Sequence, residues 1–243
     1  IQCSAGTYSA QLGNDEVSDC TACPAGTWSN TAGISQRSDC IDCIAGKYAV
    51  AVASISVSVC IACPAGKYVT STGSDADTDC IDCLAGKYGT VTASSAETNC
   101  IECPAGRYVM VASSTAVEDC IDCPAGKYVD TSGSSDVSNC INCASGRWLD
   151  TSGSDDVTDC IDCVAGTWVS TTGNTNVSDC IPCVPGTYST RISSVVVLDC
   201  ISCVAGKWSA SSANSAPTDC IDWLAGTFNV VVGSMSIADC TVC

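Results

Sequence analysis

Apolar and polar positions alternate along the chain in blocks of 20 residues, and the period never slips. Each block opens on an apolar half. A cysteine comes first, a glycine three residues later and an aromatic two after that, as in Cys123, Gly126 and Tyr128. The second half is polar, rich in Ser, Thr, Asn and Asp, and closes on a second cysteine such as Cys140. Midway through many blocks stands a glycine (Gly13, Gly33, Gly73, Gly133, Gly153, Gly173, Gly233) among turn-forming residues. The pattern predicts one β-hairpin per block, with about eight residues out, a turn and about eight back. Three blocks break the polar rule: Val50–Val59 reads VAVASISVSV, Ile192–Leu198 reads ISSVVVL and Val230–Ile237 reads VVVGSMSI. A thin array has no interior to hide such runs, so they read as interfaces centred on Val57, Val196 and Val231, or as contacts with neighbouring blocks.

The strict period overrides the one or two globular domains that 243 residues would otherwise suggest. The expectation is a small disulfide-rich all-β fold: an elongated tandem array of about twelve hairpin repeats with no helices of note. It runs continuously over 1–243, with units starting at 3, 23, 43, 63, 83, 103, 123, 143, 163, 183, 203 and 223, and reads as an excerpt of a longer chain. A 20-residue unit with one aromatic cannot bury a core of its own. It needs a staple, and 24 cysteines supply the means.

Two chemistries compete for those cysteines. Cys20-x₂-Cys23 followed by Cys40-x₂-Cys43 fits a zinc-ribbon spacing. Four ligands per ion would impose a 40-residue alternation that the sequence lacks, and the chain contains no histidine. Disulfides fit better. A bridge inside Cys20-x₂-Cys23 would close a strained ring, whereas a hairpin brings residues 17 apart together. The expected pairs are Cys3 with Cys20, Cys23 with Cys40, Cys43 with Cys60, Cys63 with Cys80, Cys83 with Cys100, Cys103 with Cys120, Cys123 with Cys140, Cys143 with Cys160, Cys163 with Cys180, Cys183 with Cys200 and Cys203 with Cys220. Trp223 stands where the next cysteine belongs, which leaves Cys240 and Cys243 unpaired or bonded between chains. Each closed loop removes about 3 kcal/mol of unfolded-chain freedom in the chain-entropy model. Persistent bridges imply an oxidising, extracellular setting.

The aromatic column reads as packing over a bridge or a neighbouring unit, with a sugar-stacking ladder as the sharper alternative. A net charge of −17 disfavours nucleic acid and anionic membranes, and no apolar run approaches the ~18 residues of a membrane span. Seven of the nine basic residues directly follow the block glycine, as Lys67 and Arg147 do. No catalytic set is present, since general-base and triad chemistry lacks a histidine. Acidic clusters such as Asp75, Asp77 and Asp79 lack EF-hand order and read as solvated edges, so neither metal nor cofactor is expected. Asn176-Val177-Ser178 is an N-glycosylation sequon, and the turn hydroxyls could carry O-glycans.

The phrase Cys-Pro-Ala-Gly-Lys-Tyr at Cys63–Tyr68 and Cys123–Tyr128, followed by Cys-x₂-Cys, resembles the cysteine-rich repeats of the ephrin-receptor-like and tumour-necrosis-factor-receptor-like group. The resemblance implies a short hairpin closed by one bridge, with the same pairing. It also implies an extracellular protein without enzymatic activity. Arrays of uniform length resemble those of protist surface proteins and flagellar hairs (mastigonemes). That implies a structural protein that self-associates or joins a partner protein in a filament; the alternative is the stalk of a receptor or adhesin. Proline follows the opening cysteine only at Pro24, Pro64, Pro104 and Pro124, and Trp223 departs from the pattern altogether.

Overall fold

The structure is a computed structural model and describes residues 1–242. The chain divides into two compact units, one of Ile1–Pro104, Tyr108–Ile121 and Gly133–Asp136, the other of Ala105–Arg107, Asp122–Ser132 and Val137–Cys243. Both are built from the same repeat. In the first unit the strand Lys67–Tyr68 pairs antiparallel with Ile81–Asp82, Tyr68 facing Ile81. In the second, Arg147–Trp148 pairs with Ile161–Asp162, Trp148 facing Ile161. The fold is the disulfide-rich all-β tandem array that the period predicts, with no α-helix among the described residues.

The hairpin differs from the expected one in a specific way. Its strands are two residues long, and the partner strand is the pair of residues just beyond the closing cysteine, before the next block opens. Instead of an eight-residue return strand, the polar half folds into a three-residue 3₁₀ turn, Asp77–Asp79 in one block and Val157–Asp159 in another. The cause is local. The Asp79 carboxylate accepts hydrogen bonds from the backbone N–H of Asp75 (2.9 Å) and Ala76 (3.1 Å), which curls the chain and denies it an extended path. Asp119 caps Thr115 and Ala116 in the same way, and Asp219 caps Ser215 and Ala216.

Blocks are joined by backbone hydrogen bonds that repeat in register. In the first unit, Gly46 donates to Val69 (2.8 Å), Val69 donates to Ser94 (3.0 Å) and Gly73 donates to Cys43 (2.8 Å). The aromatic position also forms a parallel bridge with a residue 26 further on, as Tyr68 does with Ser94. Contact reaches two blocks ahead. A Cβ on Gly46 would lie 2.1 Å from the Ala93 carbonyl oxygen, and its φ of +88° is in the left-handed region, so only glycine fits.

The core is a series of small clusters, each organised around one bridge. Cys63, Val69 and Cys80 are buried together with Tyr48 packed against them, and Cys143, Leu149 and Cys160 with Tyr128. Each ring therefore covers the bridge of the following block, and the buried residue beside the bridge is the one directly after that block's own aromatic. A block alone lacks the ring that covers its bridge, which is why the sequence needs many in tandem.

Candidate interaction surfaces

Eleven bridges form among the described residues, from Cys3–Cys20 to Cys203–Cys220, each between cysteines 17 apart with Cα atoms separated by 5.6–5.8 Å. Their sulfurs are bonded to each other and so are not available as zinc thiolates. Cys240 is free and half-buried, and its thiol lies 3.0 Å from the Ile237 carbonyl oxygen. Cys243 lies outside the described residues. Trp223, at the vacant cysteine position, stacks on Trp208 with ring centroids 6.0 Å apart. Trp208 is the ring that would otherwise cover the missing bridge, so one aromatic occupies the place of a disulfide. The indole N–H groups of both rings are buried without an acceptor among the described residues.

The aromatic column is half-buried in most blocks, with one side on a bridge and the other in reach of solvent. The basic residue before each ring faces across the ladder, where an acidic residue commonly stands. Lys67 Nζ lies 2.6 Å from Asp82, Arg107 Nε 2.8 Å from Asp122, Arg147 Nε 2.7 Å from Asp162 and Lys207 Nζ 2.9 Å from Asp222. The basic column is thus largely neutralised within the fold. The Asp82 carboxyl is held below the usual carboxylate range, first by the hydrogen bond from Lys67 and then by one from Ser113. Ser113 lies 31 residues ahead, so this carboxylate also ties distant blocks together. Where threonine replaces the basic residue, its hydroxyl turns back onto the chain: Thr167 donates to the Val164 carbonyl at 2.8 Å.

The acidic clusters acquire a structural role. Asp79 caps its turn, and Asp156 accepts from Thr158 through both its N–H and its hydroxyl, which lowers the Asp156 pKa. The solvated-edge reading holds for their exposure and misses this work. Asn176 is exposed at the start of a 3₁₀ turn, its side-chain oxygen accepting from the Ser178 N–H at 2.9 Å. Val57, Val196 and Val231 are 56%, 43% and 59% exposed. They flank or begin turns in separate blocks.

Two columns escaped sequence reasoning. One is the small or aliphatic residue after each aromatic, such as Ala49, Val109 and Leu149, all almost fully buried. The other is the residue bridged to the aromatic, Ser94 or Asn174, buried although polar. Asn174 satisfies its amide by donating to the carbonyls of Arg147 (3.0 Å) and Thr171 (2.8 Å). Their recurrence every 20 residues was visible, but the first column varies in type and the second, serine at eight of its eleven bridged positions, does not stand out in a half rich in serine.

The family model described as tyrosine-protein kinase ephrin type A/B receptor-like matches residues 33–80 and 111–160. The matched segments contain four complete bridges: Cys43–Cys60, Cys63–Cys80, Cys123–Cys140 and Cys143–Cys160. In these segments the tandem cysteine-rich repeats are similar to that ephrin-receptor-like family. No curated protein matches it. Receptor-like repeats of this kind and a high density of bridges fit a secreted or cell-surface location. No helix among the described residues is long and apolar enough to cross a membrane.

Proposed function

We propose that this chain is a structural, non-enzymatic extracellular repeat protein that builds a filament or a cell-surface appendage of the mastigoneme kind. The observation that carries the reading is the uniformity of the repeat together with three exposed apolar runs. Equivalent blocks offer equivalent contacts, as a polymer requires. The runs around Val57, Val196 and Val231 stay in water in the single chain, and burial against other copies or a partner protein would remove that cost. Asn176 is an accessible acceptor for an N-glycan, and the exposed turn hydroxyls are acceptors for O-glycans. The array is one continuous repeat domain in this reading.

The match to an ephrin-receptor-like family favours a second reading, a receptor or adhesin stalk that presents or captures a protein or carbohydrate ligand. Electron microscopy of native material, combined with side-chain footprinting, separates the two. The filament reading expects regular fibres in which the three apolar runs are protected and Thr151–Asp159 is not. Single membrane-bound stalks with all four segments equally labelled would overturn it.

A further inference from the structure

One apolar feature belongs neither to the core nor to those three runs. Ten consecutive ladders, from Ile41 to Ile221, carry an isoleucine on the strand that faces the aromatic, and each is 44–55% exposed. Single exposed apolar residues need no explanation, but ten at one place of one repeat are not scattered. The ladder does not demand them. Thr21 faces Tyr8 and Thr241 faces Phe228 in the same register, so a half-polar residue keeps the pairing.

We infer that the isoleucine column of each unit, Ile41 to Ile121 in the first and Ile141 to Ile221 in the second, is a seam on which a second copy of the same chain packs. Three observations select that partner. A surface that offers one apolar rung every 20 residues is matched along its length by a partner with the same repeat, and this chain has it. Each unit presents five half-exposed isoleucines, on the order of 250–450 Å² of apolar surface, so the two units together offer an area comparable with the ~800 Å² that one side of a stable interface contributes. The charge also fits. The chain as a whole carries −17, yet four of the ladders pair a base with an acid: Lys67 with Asp82, Arg107 with Asp122, Arg147 with Asp162 and Lys207 with Asp222. Two copies can therefore join at the ladders, and the remaining acidic charge, which includes Asp79 and Asp159 two residues before Ile81 and Ile161, opposes them until salt screens it. A basic partner would show the opposite salt dependence. The seam lies on the ladders and does not depend on the three apolar runs of the polar halves.

Sedimentation equilibrium of the 243-residue chain at about 20 mM and about 500 mM salt tests this. The expected result is self-association that strengthens with salt and weakens at least ~30-fold when Ile121, Ile141 and Ile161 are all changed to Thr. A parallel variant, Val57→Ser with Val196→Ser and Val231→Ser, should leave the seam intact. If that variant alone abolishes association, the seam is overturned while the filament interface stands. A monomer at both salts, association confined to low salt, or association unchanged in the isoleucine variant also overturns the seam. Should the isoleucine variant melt early, footprinting of the unaltered chain at rising concentration decides. Protection must then spread along the isoleucine column.

Discussion

The blocks 143–160 and 223–240 share one plan and differ at one atom pair. In the first, Cys143 and Cys160 are bridged and buried with Leu149, under the Tyr128 ring. In the second, Trp223 replaces the opening cysteine, Cys240 is left as a thiol, and the covering ring Trp208 stacks on another indole. The ladder and turn survive the exchange: Phe228 still faces Thr241, and Asp239 still accepts from the Met235 and Ser236 N–H groups. The plan is therefore specified by backbone hydrogen bonds and the turn cap, and the bridge tightens it. The cost of losing the bridge is twofold. The closed loop is gone, worth about 3 kcal/mol. Two buried indole N–H groups also lack acceptors among the described residues, at roughly 1–3 kcal/mol each.

The largest way to erase the difference is to open the intact block. Cys143→Ser with Cys160→Ser should cost about 3 kcal/mol locally, so amide exchange at Leu149 and Val169 should accelerate by roughly two orders of magnitude. Exchange left unchanged there would show that neighbouring blocks hold this one regardless of its bridge.

The reverse change sharpens the comparison. Trp223→Cys should form a bridge to Cys240, so that thiol titration finds neither of the two free. The gain in 223–240 should be somewhat smaller, about 2 kcal/mol, because the indole stacking worth ~0.5–1.5 kcal/mol is lost with it. A persistent free thiol at Cys240 would place the two positions too far apart to bond.

A third pair of variants tests what the two blocks share. Asp159→Ala and Asp239→Ala each remove a turn cap, at about 1 kcal/mol. Equal loss in both blocks, read by local exchange, means the cap acts independently of the bridge. A loss confined to 223–240 means the bridge substitutes for it.

The smallest effect is expected with pH. The Asp82 carboxyl has a lowered pKa in the fold, with Lys67 as the main cause. Its contribution is fully present above the unfolded carboxylate value of about 3.9 and is lost as pH falls through the lowered folded value. Stability of the ladder at Lys67–Tyr68 should therefore be flat from neutral pH down to about 4 and decline only below it. Lys67→Met should remove that acid dependence, as a melting series at several pH values would show.

The sequence made the fold's largest constraint plain, because cysteine and glycine are rare enough that a column of either stands out. Cysteines 17 apart need a chain reversal between them, and the left-handed glycines mark where the backbone turns or is closely approached. The turn itself was hidden. Asp79 looked like a member of an acidic patch, and only its two short hydrogen bonds reveal that it sets the path of the polar half. Ala93 at φ +57° in a glycine position shows the same limit, since a tolerated strain leaves no mark in composition. Residues whose role is to be small or merely apolar, such as Ala49 or Ile141, are interchangeable in type and so carry little signal one at a time. The column becomes informative once the ladder shows which way it faces.

The close passage of Gly46 against Ala93 bears on how such a gene can change length. A residue added or lost within a block would change the 17-residue spacing of that block's cysteine pair and break the register of the contacts that straddle it. Lengthening and shortening by whole repeats alone preserve the geometry. Unequal recombination between near-identical copies makes that kind of change, and the unbroken period of this chain is what such a filter leaves behind.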